Sequence, residues 1–170
     1  YELNYFSRFG ITQEALIEYD VFPIHYFRFW SPKREEWSNF FYASPENPRF
    51  LIQINKGEKI YSPSEPNPKL KWFTNIKKTD IFGLKQIKGH QKAIGILAGN
   101  KDVLSFYCNT GIRAVSMASE GAKVDLETMV MLKELSDDVF ILYDNDKTGW
   151  KRSTAIAKEY GIKSVHIGDF

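Results

Sequence analysis

Two carboxylates stand close together at the end of an apolar segment in the second half of the chain. Asp144 and Asp146 follow residues 139–143 directly, and Gly149 comes three residues later. Paired carboxylate oxygens suit Mg²⁺, which binds few protein ligands and keeps several waters for substrate phosphates. Gly149 would relieve the tight turn from a strand into a helix. The pattern indicates a metal site, with an ordinary surface turn as the alternative.

Two earlier turns also carry acidic residues. Asp102 follows residues 93–98 and Glu120 follows residues 112–117, and both of these segments are predicted strands. The carboxyl ends of parallel strands lie at one edge of a sheet, where α/β proteins bind their ligands. We therefore expect Asp102 and Glu120 to lie near the first pair of carboxylates. The alternatives are a plain helix-capping role for Asp102 and a solvent-facing Glu120.

Residues 69–88, called here the basic strip, contain six lysines against a single acid, Asp80. The lysines are Lys69, Lys71, Lys77, Lys78, Lys85 and Lys88. This composition suits a phosphate backbone or a nucleotide, and a solvated lysine-rich loop is the alternative. Lys71 offers charge to phosphate and Trp72 offers a stacking face to a base, unless Trp72 is buried packing.

The overall composition is that of a globular protein. The 170 residues are 43% hydrophobic and 26% charged, with a net charge of +2. A single cysteine, Cys108, excludes an internal disulfide framework and a multi-cysteine zinc site, and it fits a reducing, cytoplasmic location. No apolar run is long enough for a membrane span. The chain begins at Tyr1 rather than methionine, so we expect a fragment of a longer protein.

The second half of the chain alternates strands and helices. Predicted strands cover residues 93–98, 112–117, 139–143 and 164–167. Predicted helices cover residues 102–107, 125–135 and 150–160. Such short connections imply parallel strands in a three-layer α/β sheet. If one metal joins the turns after the first and third strands, these strands are neighbours, which predicts the strand order 2-1-3-4.

The first half follows a different pattern and contains all seven prolines. Thr12 is predicted to cap a short helix. Strands are expected at residues 39–42, 49–54 and 59–61, with the tight turn between the last two at Lys56-Gly57. We therefore predict a small α+β subdomain over residues 1–88, followed by an α/β domain over residues 89–170.

The acidic segments resemble the TOPRIM domain of DNA primases, topoisomerases and certain nucleases. That family has an Asp-x-Asp-x-x-Gly segment after its third strand, matched here by Asp144, Asp146 and Gly149. Its Glu-Gly-x-x-Asp segment keeps Gly99 and Asp102 here but has Ala98 in place of the glutamate. The resemblance implies a TOPRIM-like three-layer domain with a mainly parallel four-stranded sheet. Our hypothesis is that Glu120 supplies the missing carboxylate.

The first half is similar to the segment that leads into the TOPRIM domain of primases. The similar stretches are residues 61–63, 71–75 and 80–84. The likeness is to primases of the phage and mobile-element type, which are related to bacterial primases. It implies a monomeric catalytic core that makes short RNA primers on single-stranded DNA from ribonucleoside triphosphates, using Mg²⁺ or Mn²⁺. A replicative helicase would be the partner, through parts outside this chain.

The resemblance assigns roles to individual residues. Asp144, Asp146 and Glu120 would hold the metal ion, and Asp102 would complete the catalytic acids. Nucleic acid or nucleotide would be bound by five residues, namely Lys71, Trp72, Lys77, Lys78 and Lys101. Two other functions stay open. A TOPRIM nuclease would use the same metal to cut phosphodiesters, and a nucleic-acid-binding module would have lost its chemistry with the glutamate.

Overall fold

The computed structural model describes residues 3–119 and 121–166, which form two compact units. The first unit is Tyr1–Ile76 and the second is Lys77–Phe170. Residues 77–88, which the sequence-based division assigns to the first half, belong to the second unit. Phe82 and Ser116 exchange backbone hydrogen bonds of 3.0 Å, and Ile87 is part of the second unit's core. None of the described helices has the length and apolar character needed to cross a membrane.

The described part of the first unit is an antiparallel sheet with small ribbons, two short α-helices and a 3₁₀ helix, Pro68–Leu70. Its helices are α1 (Leu3–Ser7) and α2 (Gln13–Glu18). Its strands are β1 (Val21–Pro23), β2 (Tyr26–Phe27), β3 (Trp30–Ser31), β4 (Glu36–Trp37), β5 (Phe41–Tyr42), β6 (Phe50–Ile54), β7 (Gly57–Tyr61) and β8 (Trp72–Thr74). The main sheet has the order β1-β6-β7-β8, while β2 pairs with β5 and β3 pairs with β4.

Local sequence explains most of this unit, with one correction. The Thr12 side chain accepts a hydrogen bond from the Ala15 amide at 3.2 Å, so the predicted helix cap is confirmed. Ile54 pairs with Gly57, which places the hairpin turn at Asn55-Lys56 and not at the predicted Lys56-Gly57. Asn55 takes the left-handed conformation that this turn requires, at φ 54°. Asparagine tolerates that region better than most residues because its side chain can bond to nearby backbone.

The second unit is a parallel sheet flanked by helices, as predicted. Its elements in chain order are β9 (Gln91–Leu97), α3 (Asn100–Thr110), β10 (Arg113–Ser116), α4 (Leu126–Glu134), β11 (Ser136–Leu142), α5 (Lys147–Tyr160) and β12 (Lys163–Ser164). The sheet order is β10-β9-β11-β12 with every pair parallel. The predicted order 2-1-3-4 is therefore confirmed.

Short signals in the sequence set the helix ends of this unit. The Asp125 carboxylate caps α4 by accepting a hydrogen bond from the Thr128 amide at 2.8 Å, and this bond lowers the pKa of Asp125. Gly111 and Gly161 end α3 and α5 in the left-handed conformation. A further 3₁₀ helix, Leu84–Gln86, lies in the segment before β9.

The register of the central strands determines where the acidic turns begin. Leu97 at the end of β9 pairs with Leu142 at the end of β11. The segments that follow β9 and β11 therefore leave the sheet at the same level and on the same edge. The two acidic turns therefore begin next to each other.

Replacing Gly83 by alanine should destabilise the second unit by roughly 3 kcal/mol. Gly83 has φ 86°, and an added Cβ would lie 2.3 Å from the carbonyl oxygen of Ala114 in β10. Gly111→Ala is the matched control, since Gly111 also has positive φ, at 72°, but a Cβ there would have no neighbour within 4 Å. We expect about 1 kcal/mol for the control, from backbone strain alone. Urea unfolding measures both values, and equal losses would contradict the steric argument.

Candidate functional site

A cavity of about 270 Å³ lies at the carboxyl ends of β9 and β11. Its lining comprises Leu97, Ala98, Asp102, Ser105, Phe106, Leu142, Tyr143, Asp144 and Asn145. The turns after the first and third strands of the sheet thus contribute Asp102 and Asp144 to one cavity. This is the juxtaposition that a metal shared between the two turns requires.

The turn after β11 is held by side chains of its own residues. Asp146 caps α5, and its Oδ1 accepts a hydrogen bond from the Gly149 amide at 2.7 Å. Asn145 Oδ1 accepts a hydrogen bond from the Trp150 indole N–H at 2.6 Å. The Trp150 ring in turn stacks on His166 with a centroid distance of 4.2 Å. Asp144 is therefore the first residue of a turn whose next two residues, Asn145 and Asp146, are held by hydrogen bonds to α5.

Gly149 is required by the close approach of the backbone. A Cβ on this residue would lie 2.1 Å from the carbonyl oxygen of Asp144 and 3.0 Å from its carbonyl carbon. No side chain fits at that distance, so the helix can start this close to the strand end only with glycine. The glycine of the Asp-x-Asp-x-x-Gly pattern is consequently needed for the backbone conformation of the turn.

The turn after β9 is built around Gly99 and Asp102. Gly99 is the N-cap of α3, and Asp102 lies in the first helical turn. Asn100 is buried and its side chain donates a hydrogen bond of 3.4 Å to the Ser116 hydroxyl in β10. Ala98 lines the cavity where the resemblance would place a glutamate. Ala98 also packs against the hydrophobic core of the unit, and it offers no carboxylate to the cavity.

Two carboxylates line the cavity, and this number can be compared with what a magnesium ion uses in proteins. Mg²⁺ is commonly held by one or two protein carboxylates, with waters and substrate phosphates completing its shell. Asp102 and Asp144 line the cavity, whereas Asp146, predicted as a metal ligand, caps α5 and is not among the lining residues. Over residues 3–119 and 121–166 there is no group of three acidic, histidine or cysteine residues suited to a metal. Glu120, predicted as a metal ligand, lies outside the described residues.

Lys71 and Trp72 lie in the first unit, at the start of β8. Trp72 is 41% exposed, and one side of its ring stacks on Tyr61 at 4.2 Å with an interplanar angle of 18°. The ammonium group of Lys59 lies 5.0 Å from the centre of the Trp72 ring, and burial lowers the pKa of Lys59. Trp72 is thus partly packed and partly accessible, which combines the two sequence-based interpretations.

The basic strip is divided between the two units. Lys69 and Lys71 belong to the first unit, whereas Lys77, Lys78, Lys85 and Lys88 belong to the second. Lys77 and Lys78 are exposed. Lys101 is half-buried in the first turn of α3, beside Asp102 but not among the residues that line the cavity.

Sequence reasoning missed two residues that support the site. Asn145 lines the cavity, and Trp150 holds Asn145 in place. The five-residue spacing between Asn145 and Trp150 could have indicated this hydrogen bond. An indole N–H one turn into the helix can reach back to an amide in the preceding turn, because that amide lies beyond the helix N-terminus on the same side.

Replacing Gly149 by alanine should cost roughly 3 kcal/mol and displace the turn that carries Asp144. Gly99→Ala is the matched control at the other turn. A Cβ on Gly99 would meet only the Asp102 Oδ2 atom, at 3.0 Å, and this flexible side chain can move aside. The control should lose less than about 1 kcal/mol. Urea unfolding tests the difference, and a Gly149→Ala protein as stable as the control would refute it.

Comparison with known proteins finds solved structures with a similar fold. No family model and no curated protein matches the chain. A DNA primase domain from Pseudomonas aeruginosa is 13% identical with a TM-score of 0.72, over 98% of this chain and 64% of that one. The zinc-binding and RNA polymerase domains of Aquifex aeolicus primase are 16% identical with a TM-score of 0.68, over 96% of this chain and 48% of that one.

A third match is a DnaG primase catalytic domain bound to single-stranded DNA. It is 13% identical with a TM-score of 0.69, over 98% of this chain and 65% of that one. The chain thus spans between 48% and 65% of the length of these three structures. It has the fold of bacterial primase catalytic cores, and its four-stranded parallel sheet matches the TOPRIM part of that fold.

Proposed function

We propose that this chain is the nucleotidyl-transfer core of a DNA primase of the phage or mobile-element type. In this proposal it joins ribonucleotides into a short primer on a single-stranded DNA template. The observation that carries the proposal is that Asp102 and Asp144 line the same cavity at the carboxyl edge of the parallel sheet. The primase-core fold supports the same reaction class, because positioned acids at this edge suit phosphoryl transfer.

The metal would be held by acids from three turns. Asp144 and Asp146 would bind Mg²⁺ or Mn²⁺, and Asp102 and Glu120 would complete the acidic shell. When bound, the ion neutralises charge on the triphosphate and on the transferring phosphoryl group. Asp146 also caps α5 through one carboxylate oxygen, which leaves the other oxygen available to a ligand.

The remaining residues would bind and orient the substrates. Lys101 stands one residue from Asp102 and would pair with triphosphate oxygens. Lys71, Lys77 and Lys78 would contact phosphates of the template. The exposed part of Trp72 would stack on a base. A replicative helicase would act with this core through other parts of the parent protein.

A second candidate is a nucleic-acid-binding module that has lost catalysis. Ala98 favours it, since this residue of the cavity lining has no carboxylate where the resemblance places a glutamate. In this case the lysines and Trp72 would still bind a single strand, while the acids would no longer support nucleotide joining.

Replacing Asp144 by asparagine should lower metal-dependent primer synthesis at least about 100-fold, because a charged group at the reaction centre is lost. The assay uses labelled ribonucleoside triphosphates and a single-stranded template with Mg²⁺ or Mn²⁺. Asp137→Asn is the control, as Asp137 is an exposed acid at the opposite end of the same strand. Calorimetric titration with Mn²⁺ gives an independent readout, in which only Asp144→Asn should weaken binding. Full activity in Asp144→Asn would contradict the proposal.

A suppressor experiment separates the two candidates. If Glu120 replaces the missing glutamate, Glu120→Gln should lower primer synthesis, and adding Ala98→Glu should restore part of it. Full metal-dependent activity in Glu120→Gln would sink the Glu120 hypothesis. The binding-module candidate predicts a different pattern, namely no product from any variant and unaltered single-strand binding in Asp144→Asn.

A further inference from the structure

The two ribbons of the first unit carry aromatic residues on both faces. On the inner face, Phe27 and Phe41 stack at 5.0 Å. Phe29 stacks on Phe73 of β8 at 4.6 Å. These contacts attach the ribbons to the main sheet and account for the apolar residues of the inner face.

The outer face forms a continuous row of exposed rings, called here the aromatic row. It consists of Tyr42, Tyr26, Phe40, Trp37 and Trp30 with Arg28 in its middle. Each of the five rings is between 44% and 67% exposed. Surface positions of a two-stranded ribbon are usually polar, so folding does not explain five large aromatic residues there.

Contacts within the aromatic row hold it in one arrangement. Tyr26 meets Phe40 edge-to-face at 5.3 Å, and Trp30 meets Trp37 at 5.8 Å. The Arg28 guanidinium links the two pairs, at 4.6 Å from the Trp37 ring and 5.0 Å from the Phe40 ring. The rings therefore present accessible faces in a fixed order before any partner binds.

The chemistry of the row selects one class of partner. Its only ionisable charge at neutral pH is the cation of Arg28, and no carboxylate belongs to the row. Flat aromatic faces with an interposed guanidinium match unstacked bases joined by phosphates, because bases stack on aromatic rings whatever their sequence and arginine pairs with phosphate. A duplex would offer phosphates and base edges but no free base faces, since its bases are already stacked.

We infer that the aromatic row is a binding surface for single-stranded nucleic acid, separate from the cavity of the second unit. It extends the proposed function by naming a second place where the template strand is held. Binding there requires no nucleotide joining, so the two proposals can fail independently.

The test measures the affinity of the whole chain for fluorescently labelled oligothymidylate, by anisotropy. Trp30→Ser/Trp37→Ser should bind at least about tenfold more weakly. Trp30→Phe/Trp37→Phe should retain most of the affinity because phenyl rings still stack. The matched control is Ile17→Ser, which changes an exposed apolar residue of the same unit outside the row.

Two further measurements define the contact. In a Trp72→Phe/Trp150→Phe protein, whose remaining tryptophans are Trp30 and Trp37, the oligonucleotide should quench tryptophan fluorescence. Arg28→Gln should lower the slope of log affinity against log salt by about 0.7, the value for one phosphate of a single strand. Affinity for the matching duplex should stay the same in the serine double variant.

Three outcomes would overturn the inference. The first is unchanged oligothymidylate affinity in the serine double variant. The second is an equal loss of affinity in Ile17→Ser. The third is concentration-dependent self-association of the chain that the serine double variant abolishes without a change in oligonucleotide binding, which would make the row a protein interface. Normal oligothymidylate binding by the unsubstituted chain, with no primer made with Mg²⁺ or Mn²⁺, would leave this inference standing while the proposed reaction failed.

Discussion

The parallel pairing of β9 with β11 is the constraint on which the site depends. Their register sets Leu97 opposite Leu142, so the turns that follow begin side by side. Both strands are largely buried, and a slip by one residue would turn their apolar side chains to the wrong face. The core therefore fixes the register, and the register fixes the distance between the two acidic turns. The positions of the acidic side chains at this edge thus depend on hydrophobic packing several residues away.

Under the proposed function, the two units would bind phosphates and bases in different ways. The second unit concentrates carboxylates in a cavity, where a cation can link them to phosphate oxygens. The first unit offers aromatic rings with cations beside them, as at Trp72 beside Lys59 and along the aromatic row. Carboxylates would repel a nucleic-acid backbone without a metal, whereas rings and cations attract it directly. The division of the basic strip gives lysines to both units.

Much of the second unit could be predicted from the sequence, because its signals are local and repeated. Buried strands read as apolar runs, Asp125 caps a helix, and the need to join two turns gave the strand order. The ribbons of the first unit could not be predicted in this way. Aromatic residues on both faces remove the alternation that marks a half-buried strand, so β2 to β4 left no clear period. The turn at Asn55 was missed because glycine is the commoner residue with positive φ, and Gly57 stood nearby.

The contact between Gly149 and Asp144 has a consequence for how such sequences are classified. A Cβ at Gly149 is excluded by the backbone, and Asp146 caps a helix. Both residues would be kept by selection for folding even in a lineage that no longer catalysed anything. An intact Asp-x-Asp-x-x-Gly signature therefore shows that the turn is conformed in this way and does not by itself show catalysis. The residue at position 98 takes part in neither contact, so it has to be compared as well when enzymes are to be told apart from their inactive descendants.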